Sequence, residues 1–169
     1  MHRRLLPVTI AALLTAVSPT GLTACGGDDD DDTVDAGSGD LDSGIGCLED
    51  PRAETFVANM ERDGMNGMLS FVLESGDPAP PVKGTNTWTV QVRDSEGAPL
   101  GGATVTVHPF MPDHGHGTSV VPQVTAGEGD GEYTVDPLYL FMPGLWEITI
   151  SAESGDLSDS AKFSFCIEG

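Results

Sequence analysis

The sequence predicts an all-β domain, an immunoglobulin-like two-sheet antiparallel β-sandwich of about seven strands, preceded by a signal peptide and a disordered acidic tether. Three observations predict it. From about Cys47 onward, short runs alternate apolar and polar residues with the two-residue period of a half-buried strand. Clusters of Gly, Pro, Asp and Ser separate those runs at regular spacing, and each has a turn-forming mechanism. Ahead of them lies a segment with almost nothing to bury.

The N-terminus determines the compartment. Met1-His2-Arg3-Arg4 is basic, and the apolar run 5–17 that follows is too short to span a bilayer comfortably, so residues 1–24 read as a secretory signal. The signal ends at Leu22-Thr23-Ala24-Cys25, which resembles the bacterial lipobox, and that resemblance marks Cys25 for a diacylglycerol anchor. A plain signal peptide with an incidental Cys25 is the weaker alternative, because the cysteine sits at the expected cleavage point. No second apolar stretch is long enough to span, so lipid is the expected membrane attachment. Gly26, not Asp, follows Cys25, so by analogy with enteric bacteria the lipoprotein goes to the outer rather than the inner membrane.

The tether, 25–46, is Gly, Asp and Ser with repelling like charges, which favours an extended flexible chain. Its five consecutive aspartates, 28–32, hold calcium only weakly, because a disordered run offers no preorganised cage. The formal net charge of the chain is −20, and losing Arg3 and Arg4 with no acidic residue takes it to −22. Such a surface repels nucleic acid and anionic headgroups. The expected partners are therefore the membrane, through lipid alone, and an envelope protein that the sequence does not identify; the domain reads as a monomer.

In the domain, 47–169, the candidate strands are 68–73, 88–92, 103–108, 120–125, 132–135, 146–150 and 161–165. Only 54–62 has helical character, worth one or two turns. The alternation places Trp88, Val90, Val92, Val105, Val107, Trp146, Ile148, Phe163 and Phe165 between the sheets, where each buried side chain contributes about 1.5–3 kcal/mol. With Cys25 assigned to lipid, Cys47 and Cys166 stand at the two ends of the folded region in an oxidising compartment, which reads as a disulfide. Closing so long a loop removes about 5 kcal/mol of unfolded-state entropy. Cys166 has the opposite parity to Phe165, so it points off the core face toward the N-terminal segment.

One segment departs from ordinary sandwich sequence: His108-Pro109-Phe110-Met111-Pro112-Asp113-His114-Gly115-His116-Gly117. All three histidines beyond the signal peptide lie in it, and Phe141-Met142-Pro143-Gly144 echoes its Phe-Met-Pro portion. If neighbouring strands run up and down, the histidine loop, the 141–144 turn and the proline-rich loop 78–86 share one pole. Met111, His114, His116 and Met142 then converge as candidate metal ligands. Thioether with imidazole suits copper, as sulfur favours Cu(I) and imidazole Cu(II). Zinc would take the histidines with a carboxylate such as Asp113 in preference to a thioether. Asp113 is otherwise placed to orient a ligating imidazole. His108 shares parity with Thr104 and Thr106 and reads as a surface histidine. The same residues also fit a structural role, with Met-Pro plugging the end of the sandwich and histidines capping carbonyls, and residue types alone do not separate the two.

The runs Gly97-Ala98-Pro99-Leu100-x-Gly102-Ala103-x-Val105, Met111-Pro112-x-His114-Gly115-His116-Gly117, Gly131-x-Tyr133 and Phe141-Met142-Pro143-Gly144-Leu145-Trp146 resemble the YtkA-like domain family, related to FixH-type proteins. The resemblance covers about 85–166 and implies an extracytoplasmic β-sandwich with a suggested link to copper handling or cation transport. FixH-type proteins carry a transmembrane helix where this chain has a lipid anchor and tether, a departure that argues against a direct part in oxidase assembly.

Three functions are open. The leading one is an envelope binding module that captures copper through Met111, His114, His116 and Met142. The alternative is a structural or interaction module that presents Phe110 and Phe141 to an envelope partner. An enzyme is the weakest, since Ser119 lies near the histidines with neither a nucleophile elbow nor an acidic pair.

Overall fold

Inward-facing apolar residues at every second position dictate the architecture. The computed structural model describes residues 46–169; the signal peptide, Cys25 and all of the tether except Gly46 lie outside the described residues. Among the described residues nine strands form: β1 (Met60–Asp63), β2 (Leu69–Asp77), β3 (Gly84–Asp94), β4 (Thr104–Met111), β5 (His116–Gly117), β6 (Val124–Ala126), β7 (Glu132–Leu140), β8 (Gly144–Ser154) and β9 (Leu157–Ile167). They make two antiparallel sheets, one ordered β1-β2-β3-β7-β6 and the other β5-β4-β8-β9. No helix among the described residues is long and apolar enough to cross a membrane.

All nine residues expected between the sheets are buried there, and Phe71, which the sequence reading did not place in the core, joins Trp88, Trp146 and Phe163 among the largest buried side chains. Trp88 and Phe165 meet edge to face across the layers, their centroids 5.6 Å apart at 88°, the arrangement that the ring quadrupoles favour.

The structure departs from the sequence reading in three places. The stretch 54–62 forms no helix. Asn59 takes a left-handed φ of 64°, and Met60–Asp63 then pairs with Leu73, Val72, Phe71 and Ser70. A ladder on a buried neighbour outweighs weak helix propensity. The expected strand 120–125 shrinks to Val124–Ala126, since Pro122 has no N–H to give a ladder. The histidine segment is mostly strand: β4 continues to Met111, and His116–Gly117 folds back on it with Met111 opposite His116.

Cys47 and Cys166 are bridged, their Cα atoms 5.2 Å apart. The bridge ties a strap, residues 47–56, to β9. Within the strap the Glu54 N–H donates to the Ser164 carbonyl at 2.8 Å, and the Ser164 N–H donates to Glu54 Oε2 at 3.0 Å. Phe56 packs on Phe165 with centroids 6.0 Å apart.

At the pole opposite the strap, Asp159 is 4% exposed. Its carboxylate accepts amide hydrogens from Asn66, Met68, Leu69 and Ser160 at 2.8–3.2 Å, fixing the β1–β2 turn to β9. Burial pushes this carboxyl up, but the four amide donors outweigh it and hold it below the usual carboxylate range.

Candidate metal centre

Met111 is the last inward-facing residue of β4, following Val105, Val107 and Pro109 in the same alternation, and is 0% exposed. The sequence reading puts it in a loop at the pole; the structure makes it the end of β4, whose parity turns it into the core. After it the chain turns through 112–115, with the His114 and Gly115 N–H groups donating to the Met111 carbonyl at 3.3 and 2.9 Å. Gly115 takes a φ of 69°, a left-handed position that glycine fills without steric cost.

The second methionine-bearing bend does reach this turn. β8 pairs with β4 as far as Phe110 opposite Glu147, so the start of β8 lies beside the end of β4. Gly144 then sits under the turn: a β-carbon built on it would lie 2.7 Å from Met111 Cε and 4.0 Å from His114 Nε2. Its φ of 128° also admits glycine and resists other residues. The His114 and His116 ring centroids are 5.7 Å apart, and His116 stacks on Phe141 at 5.6 Å and 26°. Met142 lies between Phe141 and Gly144, half-buried against the core. Its carbonyl accepts the Trp146 Nε1–H at 2.9 Å, which fixes the bend.

His116 Nδ1 lies 3.1 Å from the Gly117 carbonyl. A carbonyl only accepts, so in the neutral ring the proton belongs on Nδ1 and Nε2 is the nitrogen left to accept or to bind. His108 is exposed and stacks on Phe110 at 6.2 Å, a surface histidine as expected. Phe110 and Phe141, which an interaction surface would need exposed, are both half-buried. Asp113 does not serve the histidines. Both its oxygens accept from Arg52 Nη2 at 2.9 Å, and sequence reasoning had no signal for this pair because 61 residues separate its members.

Among the described residues, no group of three His, Cys, Asp or Glu side chains is disposed to hold an ion. The two bends carry two histidines and two methionines between them, side chains with soft to borderline donor atoms. A cleft of about 500 Å³ between the strap and residues 80–83 contains none of these four side chains.

The model of the YtkA-like family matches residues 58–151. Two solved structures resemble the fold: a copper-bound single-residue variant of FetP from uropathogenic Escherichia coli strain F11, and the as-isolated FetP of the same strain. The first is 12% identical with a TM-score of 0.39, over 70% of this chain and 96% of that one. The second is 12% identical with a TM-score of 0.37, over 70% and 95%. A likeness of this degree is not evidence of a shared site. No curated protein matches the chain in sequence.

Proposed function

The chain belongs to the YtkA-like family, whose model matches more than half of its 169 residues, and on that premise we propose that its sandwich is a copper-binding module of the bacterial envelope. Met111, His114, His116 and Met142 are the ligands. One observation carries the reading: Gly144, from the second methionine-bearing bend, lies beneath both Met111 Cε and His114 Nε2. The bend that carries Met142 therefore reaches the Met111 side chain and the His114 imidazole. The donor set fits copper better than zinc, because thioether sulfur stabilises Cu(I) and Asp113, the carboxylate that zinc would prefer, is held by Arg52.

The Nδ1 contact of His116 orients its ring and leaves Nε2 to bind, the role a backbone carbonyl commonly plays beside a ligating histidine. When bound, copper would supply reversible one-electron chemistry or simple cargo capture. The residues present, histidine and methionine, fit capture. In this reading the protein is a non-enzymatic lipoprotein anchored through Cys25, in the outer rather than the inner membrane.

A second reading keeps the same pole as architecture, and the full burial of Met111 favours it. Titration of the purified full chain with Cu(I) and Cu(II) separates the two. Affinity tighter than micromolar, lost in the His114→Ala/His116→Ala double variant, supports the copper module. Micromolar or weaker affinity that the double variant leaves unchanged overturns it.

A further inference from the structure

We infer that Arg52 sets the metal selectivity of this pole by withholding Asp113 from it. The inference rests on the copper reading above.

Asp113, His114 and His116 lie within four residues of one another, and one carboxylate with two imidazoles is a donor set that zinc accepts. The fold does not assemble that set among the described residues. The Asp113 oxygens instead accept from Arg52 Nη2, both at 2.9 Å. Asp50 grips the guanidinium from its other side, accepting from Nε at 3.0 Å and from Nη2 at 2.6 Å. The same Asp50 accepts the Arg52 backbone N–H at 2.8 Å.

Arg52 is thus wedged between two carboxylates, one on its own strap and one on the histidine turn. Both hold its proton more firmly, Asp50 first and Asp113 second. A guanidinium stays charged throughout the physiological range, so the clamp has no protonation release. The Cys47–Cys166 bridge, five residues before Arg52, fixes the strap from which it reaches. With Asp113 engaged, the donors left at the pole are thioether and imidazole, which suit copper.

A metal that recruits Asp113 must first break the clamp. The pair is solvent-exposed, with Arg52 and Asp113 side chains 44% and 52% accessible, and an exposed ion pair shifts an equilibrium by about fivefold at most. That figure is the ceiling on the effect.

The test is a competition titration of the full chain with Zn(II), comparing the unaltered protein, Arg52→Gln and Arg52→Gln/Asp113→Asn. Arg52→Gln should bind Zn(II) more tightly, by up to about fivefold, and adding Asp113→Asn should remove that gain. No gain in Arg52→Gln, or a gain that survives Asp113→Asn, overturns the inference. Cu(I) titration of the unaltered protein runs in parallel: an absence of copper binding overturns the copper reading, whatever the zinc series gives.

Discussion

The Cε methyl of Met111 sits so close over Gly144 that a β-carbon there would approach it to 2.7 Å. That contact joins the end of β4 to the start of β8, and with them the two methionine-bearing bends. Gly144→Ala should therefore act twice. The φ of 128° makes alanine strained, at a cost of about 1–3 kcal/mol, and the added methyl should push Met111 and His114 apart. Expected are a lower Tm and weaker Cu(I) binding. Copper affinity unchanged in a folded Gly144→Ala protein would detach this glycine from the site.

Methionine as ligand and methionine as filler make different predictions. Met111→Leu and Met142→Leu conserve volume, so each should cost less than about 1.5 kcal/mol of stability. Cu(I) affinity should nevertheless fall by about tenfold or more, equivalent to about 1.4 kcal/mol. Cu(II) affinity should fall less, because imidazole carries most of the interaction with that ion. Chemical denaturation and metal titration of the same samples compare the two effects directly.

Asp159 makes stability depend on acid. Its folded carboxyl lies below the ordinary value because four amides donate to it. A depressed folded value means the contribution is fully present above the unfolded pKa, about 3.9, and is lost as pH falls through and below it. Asp159→Asn replaces an accepting oxygen with a donor facing buried amides, at a cost of roughly 2–3 kcal/mol. Unfolding curves between pH 7 and pH 3 should show the variant less stable at neutral pH, with the gap narrowing on acidification. A constant gap would remove Asp159 from the acid response.

The disulfide closes nearly the whole domain, its cysteines 119 positions apart in sequence. Cys47→Ser/Cys166→Ser should lose about 2–5 kcal/mol. It should also loosen the strap that carries Arg52, so hydrogen exchange should rise at the 112–115 turn as well as in the strap. Exchange confined to residues 47–56 would show that the strap does not steady the histidine turn.

The core was legible because β3, β4, β8 and β9 obey a strict alternation, and each apolar residue of 88–92, 105–107 and 146–150 lands where its parity puts it. The meeting of the 112–115 and 141–144 bends was legible too, from strand counting alone. The burial of Met111 was written in the same alternation that places Val105 and Val107, but Pro109 and the turn residues after it made the segment look like a loop. Two features left no local trace. β1 forms as the partner of the edge that β2 offers, and the Arg52–Asp113 pair joins segments far apart in sequence, one of them the strap that is tied to β9.

The central claim is that sulfur and imidazole from two separate bends share one ion. X-ray absorption at the copper edge of the Cu(I)-loaded full chain tests it most directly. The account predicts both nitrogen and sulfur scatterers around copper, with the sulfur contribution lost in a Met111→Leu/Met142→Leu double variant. Copper surrounded by nitrogen and oxygen alone, or sulfur scattering that survives both substitutions, would contradict it.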